Sequence, residues 1–327
     1  MKPARRQFLL LLCALIAASG AIGQPAPGVH RIGFINAGPA APNAKNAAAF
    51  KAGMAELGYV EGRNLEIDFV WGDQKVDRLP AMAAELVRRK PAVIVSTGGA
   101  ATVRAVKGAT TTIPVVFISG SPIAEQIVPS LARPGGNLTG FSVLAGDLEA
   151  KRLEMLTLLL PRARRVAIIW NSATPYVEDI VRGVESAAVR LDLKLVAWKA
   201  TSAADLEKAF GEITESKFDA LFVVADPFLW FERERIVNFA NKNRLPGIYF
   251  WREFAEIGGL ASYGTNLSAI YRRAALYVDK ILKGAKPGEL PIEQPTTFEL
   301  VINRSTAKAL GIVIPPSVLQ RVDEVIE

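Results

Sequence analysis

Cysteine and histidine are almost missing from this 327-residue chain: Cys13 is its one cysteine and His30 its one histidine. Zinc sites built on those ligands, thiol nucleophiles and triads with a general-base histidine all need atoms that are not there. Neither the dinucleotide pattern G-x-G-x-x-G nor the P-loop pattern occurs. A long apolar run is missing too, because the stretch over 8–18 is too short to span a bilayer.

That short run reads instead as part of an export signal. Lys2, Arg5 and Arg6 precede it, small residues follow, and 21–23 (Ala-Ile-Gly) make an acceptable cleavage site. Residues 1–23 are therefore expected to be a signal peptide, and the protein to be periplasmic. Arg5-Arg6 followed by Gln7, Phe8 and Leu9 also resembles a twin-arginine signal, so both export routes stay open. Leu12 stands before Cys13 where a lipoprotein would carry a small residue. Cleavage would remove three of the 39 basic side chains and none of the 32 acidic ones, leaving a net charge of +4. The remaining basic residues are scattered, as a solvated surface requires and a phosphate-binding stripe does not. Nucleic acid is not an expected partner. No DNA-binding helix pair precedes Val29, which with export argues against a repressor.

With half of the residues hydrophobic, the chain has enough apolar material for about two domains. Continuous apolar runs at 31–35, 92–96 and 115–118 predict strands covered on both faces, the mark of parallel βαβ units. Helices are expected over 43–57 and 99–109, and 138–142 reads as a last strand of this unit. After a helix over 147–159, stopped by Pro161, a second series has strands at 166–170, 194–197, 220–224 and 247–250. Its helices are expected over 176–191, 203–214 and 231–243. A further helix over 271–282 ends at Gly284 with Lys280 and Lys283 near its negative end, and 298–302 reads as the final strand. The fold class is α/β: two Rossmann-like lobes, each a parallel sheet flanked by helices, with a cleft between them. Lobe 1 is assigned 29–142 plus 265–290 and lobe 2 is assigned 143–264 plus 291–327.

Ligands of such sheets lie beyond the carboxyl ends of the strands, and two facing lobes can close on a small molecule by a hinge. Candidate ligand-binding residues follow from that rule. In lobe 1 they are Asn36 after the first strand, Thr97, Gly98 and Gly99 after the third, and Ser119 and Ser121 after the fourth. In lobe 2 they are Asn171, Asp226, Tyr249 and Tyr263. Gly98 and Gly99 open a helix whose N–H groups can approach a carboxylate, or simply make a tight turn. Asp226 can pair with a ligand ammonium, or cap the turn before Pro227. Phe34, Trp71, Trp170 and Trp230 fall near the same edge and can stack on a ring, although Phe34 and Trp170 suit the core equally.

The tetrad Ser305-Thr-Ala-Lys308 matches the S-x-x-K of serine acylases, but its companion motifs are absent, and Ser305 reads better as a helix cap. Neither catalytic residues nor a metal or cofactor is expected. Carboxylates paired in space for glycoside hydrolysis remain open at this level.

Further segments carry a resemblance: 58–64 (Gly-Tyr-Val-Glu-Gly-Arg-Asn), 77–80 (Asp-Arg-Leu-Pro), 132–140 (Ala-Arg-Pro-Gly-Gly-Asn-Leu-Thr-Gly), 271–275, 278–284, 298–303 and the tail 314–327. Together they look like the ABC transporter substrate-binding protein family often labelled tryptophan/tyrosine transport. Asp226, Tyr249 and Tyr263 fall within family-like segments. The resemblance implies a type I periplasmic-binding-protein fold with three crossings between lobes. It also implies a monomer that delivers a small polar or aromatic solute, an amino acid among the candidates, to permease subunits in the inner membrane. The alternatives are a periplasmic enzyme using cleft carboxylates and a ligand-sensing partner of a membrane receptor.

Overall fold

The computed structural model describes residues 28–143, 146–174 and 176–327. The expected signal peptide lies outside the described residues. Among those described, no helix is long and apolar enough to cross a membrane.

The first sheet is wholly parallel, in the order β2-β1-β3-β4-β5. Its strands are β1 (His30–Asn36), β2 (Leu65–Trp71), β3 (Val93–Thr97), β4 (Val115–Ser119) and β5 (Leu138–Ser142). The second sheet runs β12-β11-β10-β9-β8-β6-β7. It comprises β6 (Arg165–Trp170), β7 (Lys194–Lys199), β8 (Ala220–Val223), β9 (Gly247–Tyr249), β10 (Ala261–Gly264), β11 (Glu299–Asn303) and β12 (Glu324–Ile326). Here β11 departs from the expected parallel pattern by pairing antiparallel with β10.

Continuous apolarity has the expected cause. On the first sheet Ile32, Phe34, Val93 and Val95 pack with α1 (Ala40–Glu56) and α10 (Leu267–Leu282). Their neighbours Ile35 and Ile94 point the other way, into α2 (Leu79–Arg88) and α3 (Ala100–Ala109). On the second sheet Ile168 and Phe222 face α4 (Glu149–Leu159) and α5 (Val177–Arg190). Ile169 and Leu221 face α6 (Ala203–Glu215) and α8 (Arg233–Lys242). Successive side chains of a strand point to opposite faces, and burying both faces makes every position apolar.

Several details differ from the sequence reading. β2 and β12 lie at sheet edges, where half-exposed positions break the apolar run. The helix expected over 231–243 is two: α7 (Pro227–Phe231), started early by the Asp226 cap and Pro227, then α8. Ser305 does not cap the following helix α11 (Arg304–Leu310); Asn303 does, its side chain accepting from the Thr306 N–H. Two short helices complete the set, α9 (Arg252–Glu256) and α12 (Pro316–Leu319).

The chain passes between the sheets three times: between β5 and α4, between β10 and α10, and on the way from α10 to β11. Thr265 Oγ1 donates to the carbonyl of Val143 at 3.1 Å, tying two of these crossings together.

Candidate functional site

The carboxyl ends of both sheets face one cavity of about 300 Å³, lined by residues from each lobe. That volume lies at the lower end of small-molecule sites.

From lobe 2, Asp226 enters at the end of β8 and caps α7. Its Oδ1 accepts from the N–H groups of Phe228 (2.7 Å) and Leu229 (3.2 Å) and from Asn171 Nδ2 (3.0 Å). Its Oδ2 accepts from Thr174 Oγ1. The carboxyl is only 4% exposed, and burial raises its pKa against the pull of those four donors. All four are neutral, so when this carboxylate ionises it stands in a low-dielectric site beside the cavity with no countercharge in direct contact.

From lobe 1, Gly98 and Gly99 line the cavity at φ +83° and +98°, a backbone region glycine enters without strain. Gly99 is the N-cap of α3, so the open N–H groups of that helix begin at the cavity. An added Cβ at Gly99 would lie 2.8 Å from Pro227, and one at Gly38 would lie 2.2 Å from the Phe231 ring. Two glycines of lobe 1 therefore let α7 of lobe 2 approach closely.

Glu125 is a second buried carboxylate, and sequence reasoning missed it because it sits in an irregular loop after β4. It accepts from Ser119 Oγ, from the Ser121 N–H at 3.0 Å and, across the cleft, from Tyr176 Oη at 2.8 Å. Arg104, on the exposed end of α3's first turns, lines the cavity and donates from Nη1 to the Glu125 carbonyl at 3.2 Å. Tyr176 is itself in the left-handed region at φ 59°, and burial with the nearby Glu125 charge raises its phenol pKa, so it stays a donor. One apolar wall is aromatic, formed by Trp230, Phe231 and Trp251, with Trp230 and Trp251 edge to face at 5.9 Å. The indole Nε1–H of Trp230 is buried without a partner among the described residues.

A family model described as ABC transporter substrate binding protein matches residues 38–326. The chain belongs to that family. A tyrosine-binding protein of Clostridioides difficile is 26% identical over 267 residues, 80% of this chain and 75% of the relative. Among solved structures, a conserved domain protein from Vibrio cholerae superposes with a TM-score of 0.84 at 28% identity, over 91% of this chain and 99% of that one. An ABC domain from Streptococcus pneumonia in complex with L-Trp gives 0.82 at 24% identity, over 91% of this chain and all of the other. The ligand-free, open structure of a Clostridium difficile substrate-binding protein gives 0.66 at 22%, over 91% of this chain and 99% of that one.

In this substrate-binding protein the sequence-predicted residues separate into three groups. Asn36, Gly98, Gly99, Ser119, Asn171 and Asp226 line the cavity. Thr97 and Ser121 stand behind the wall: Thr97 Oγ1 accepts from Asn36 Nδ2 at 2.7 Å, and the Ser121 N–H holds Glu125. Tyr249 and Tyr263 are not on the cavity wall. Tyr249 stacks on Phe254 at 4.6 Å and 7° inside the core of lobe 2. Tyr263 packs against the opposite core, 6.3 Å from the Phe298 ring. Strand alternation turned both side chains onto sheet faces, away from the strand tips. Of the aromatic candidates Trp230 lines the cavity, whereas Phe34 and Trp170 are core, and Trp71 stacks on Phe69 at 5.7 Å. Thr174 lies in the 171–174 loop that the strand-end rule singles out, whereas Arg104, Glu125, Tyr176 and Trp251 are among the cavity residues that sequence reasoning overlooked. A residue of positive φ beside a helix start, as at Tyr176, leaves no sequence signal.

Proposed function

We propose that this protein is the extracytoplasmic solute-binding component of an ABC importer and that its solute is an amino acid with an aromatic side chain. The observation that carries the reading is the buried Asp226 carboxylate, supported by neutral donors alone, across the cleft from the start of α3. A ligand ammonium supplies the missing countercharge. The α-carboxylate of the same molecule meets the N–H groups following Gly99, with Arg104 adding positive charge. The ring lies against Trp230, Phe231 and Trp251, and Trp230 Nε1–H becomes available to a polar ring substituent. The tyrosine-binding relative and the L-Trp complex support this ligand class.

Export by the signal expected over 1–23 and delivery to permease subunits complete the reading, and the protein turns nothing over. Asp226, Glu125 and Tyr176 are occupied in holding one another or the backbone, which suits capture rather than proton transfer. Isothermal titration of the mature chain against the twenty amino acids tests it. Micromolar binding of L-Tyr or L-Trp, with the amino acid recovered unchanged, is the expected result. Heat from none of the twenty, or consumption of the ligand, overturns it.

A further inference from the structure

Glu149 and Arg152 are the first-turn residues of α4, and both side chains are about 1–2% exposed, deeper than any other ion pair described. Neither lines the cavity, yet their hydrogen bonds lead to it. Glu149 Oε2 accepts from Arg152 Nη1 at 2.7 Å, while Glu149 Oε1 accepts from the backbone N–H of Ala225 at 2.8 Å. Ala225 lines the cavity and immediately precedes Asp226. The other arm, Arg152 Nε, donates to the carbonyl of Tyr263 at 3.0 Å, two residues before Thr265 and its crossing bond to Val143. The guanidinium carbon lies over the Phe222 and Phe250 rings, 5.9 and 5.7 Å from their centroids, and both contacts add cation–π attraction.

We propose that the Glu149–Arg152 pair positions Asp226 for its ligand by bolting the β8–α7 junction to the two inter-lobe crossings. The inference rests on the reading of Asp226 as a ligand group. One end of the pair grips α4, where the first crossing enters lobe 2. A second grips the end of β10, where the next crossing leaves. The third grips the peptide N–H next to Asp226. A helix start alone would need no buried ion pair, and replacing such a pair with well-packed apolar residues is often neutral or stabilising. Retaining charge at this point is explained by what the pair holds: a carboxylate directs a backbone N–H by a bond that an apolar side chain cannot make.

Three variants separate positioning from stability. E149L/R152M and E149M/R152M both replace the pair with apolar side chains of similar size, so the outcome does not depend on one packing. E149Q/R152M restores an acceptor toward Ala225 without charge. Melting temperature, affinity for L-Tyr and L-Trp by titration, and hydrogen exchange of residues 224–230 without ligand are measured for each. Expected is a melting temperature lower by only a few degrees for the apolar pairs, which lose the charge pair's desolvation cost but leave the Ala225 N–H and the Tyr263 carbonyl unpaired, with affinity lower by roughly tenfold or more. Exchange at Phe228 and Leu229 accelerates, and E149Q/R152M recovers much of both. Native affinity and native protection in a folded apolar variant overturn the assignment. An affinity loss matched by the unfolded fraction alone overturns it equally. If the native chain binds neither amino acid, the ligand reading fails, and the ligand-free exchange experiment still decides whether the pair holds the Asp226 segment.

Discussion

Asp226 does two jobs that the sequence offers as alternatives: it caps α7 and it presents an uncompensated carboxylate to the cavity. Burial raises its pKa, so folding favours the protonated form. Its contribution to folding stability is therefore fully present below the ordinary aspartate pKa and is lost as pH rises through the raised value. Asn is as good an N-cap as Asp and carries no charge to bury. D226N should thus melt no lower than the native chain at neutral pH, while its affinity for an amino acid falls by about 1.5–3 kcal/mol, or ten- to a hundredfold. Calorimetry and titration on the same sample check both halves. The same shift sets the pH dependence of binding. An ammonium ligand needs the ionised carboxylate, so affinity should weaken on acidification already above pH 3.9, the ordinary aspartate value, and the slope should vanish in D226N. Titrations from neutral to mildly acidic pH measure it.

At the scale of elements, the start of α3 and the short helix α7 stand on opposite sides of the cleft. Gly99 at φ +98° and ψ 178° is in a region essentially reserved for glycine, at a cost of about 1–3 kcal/mol for other residues. Its missing Cβ also leaves room for Pro227. G99A should lower stability by that amount and reduce affinity further than stability alone predicts, because the added methyl holds α7 away. Comparing denaturant midpoints with titration separates the two effects. The strand-and-helix succession of both lobes was legible because two-sided burial writes itself into sequence as runs such as Val93–Thr97. The α7–α8 break was not, since Glu232 sits between them with no proline or glycine to mark it. Nor were the edge strands β2, where Glu66 and Asp68 interrupt the apolar run, and β12, which is only three residues long and exposed or half-exposed.

For the molecule as a whole, contacts across the cleft are of two kinds. Tyr176 Oη donates to the buried Glu125, whereas Lys45 reaches Glu256 at 2.7 Å on the surface, with Lys45 about half exposed. A hydrogen bond to a buried charge contributes more than an exposed ion pair, which is screened by solvent. Y176F should weaken ligand binding by about 1.5 kcal/mol, roughly tenfold, and K45A by less than about twofold. Titration at two salt concentrations distinguishes them, with only the Lys45 contribution falling as salt rises. The sequence by itself determined the α/β class, the two lobes and the loops that carry Asn36, Gly98, Gly99 and Asp226, because strand burial and strand-end position are local properties of a run of residues. Tertiary structure decided that Glu125, Tyr176 and Arg104 join them, and that Tyr249 and Tyr263 do not. It also set Glu149 and Arg152 behind Asp226. Which face a side chain turns to, and what a loop of the other lobe brings against it, depend on packing between segments far apart in the chain, and that leaves no mark at any one position.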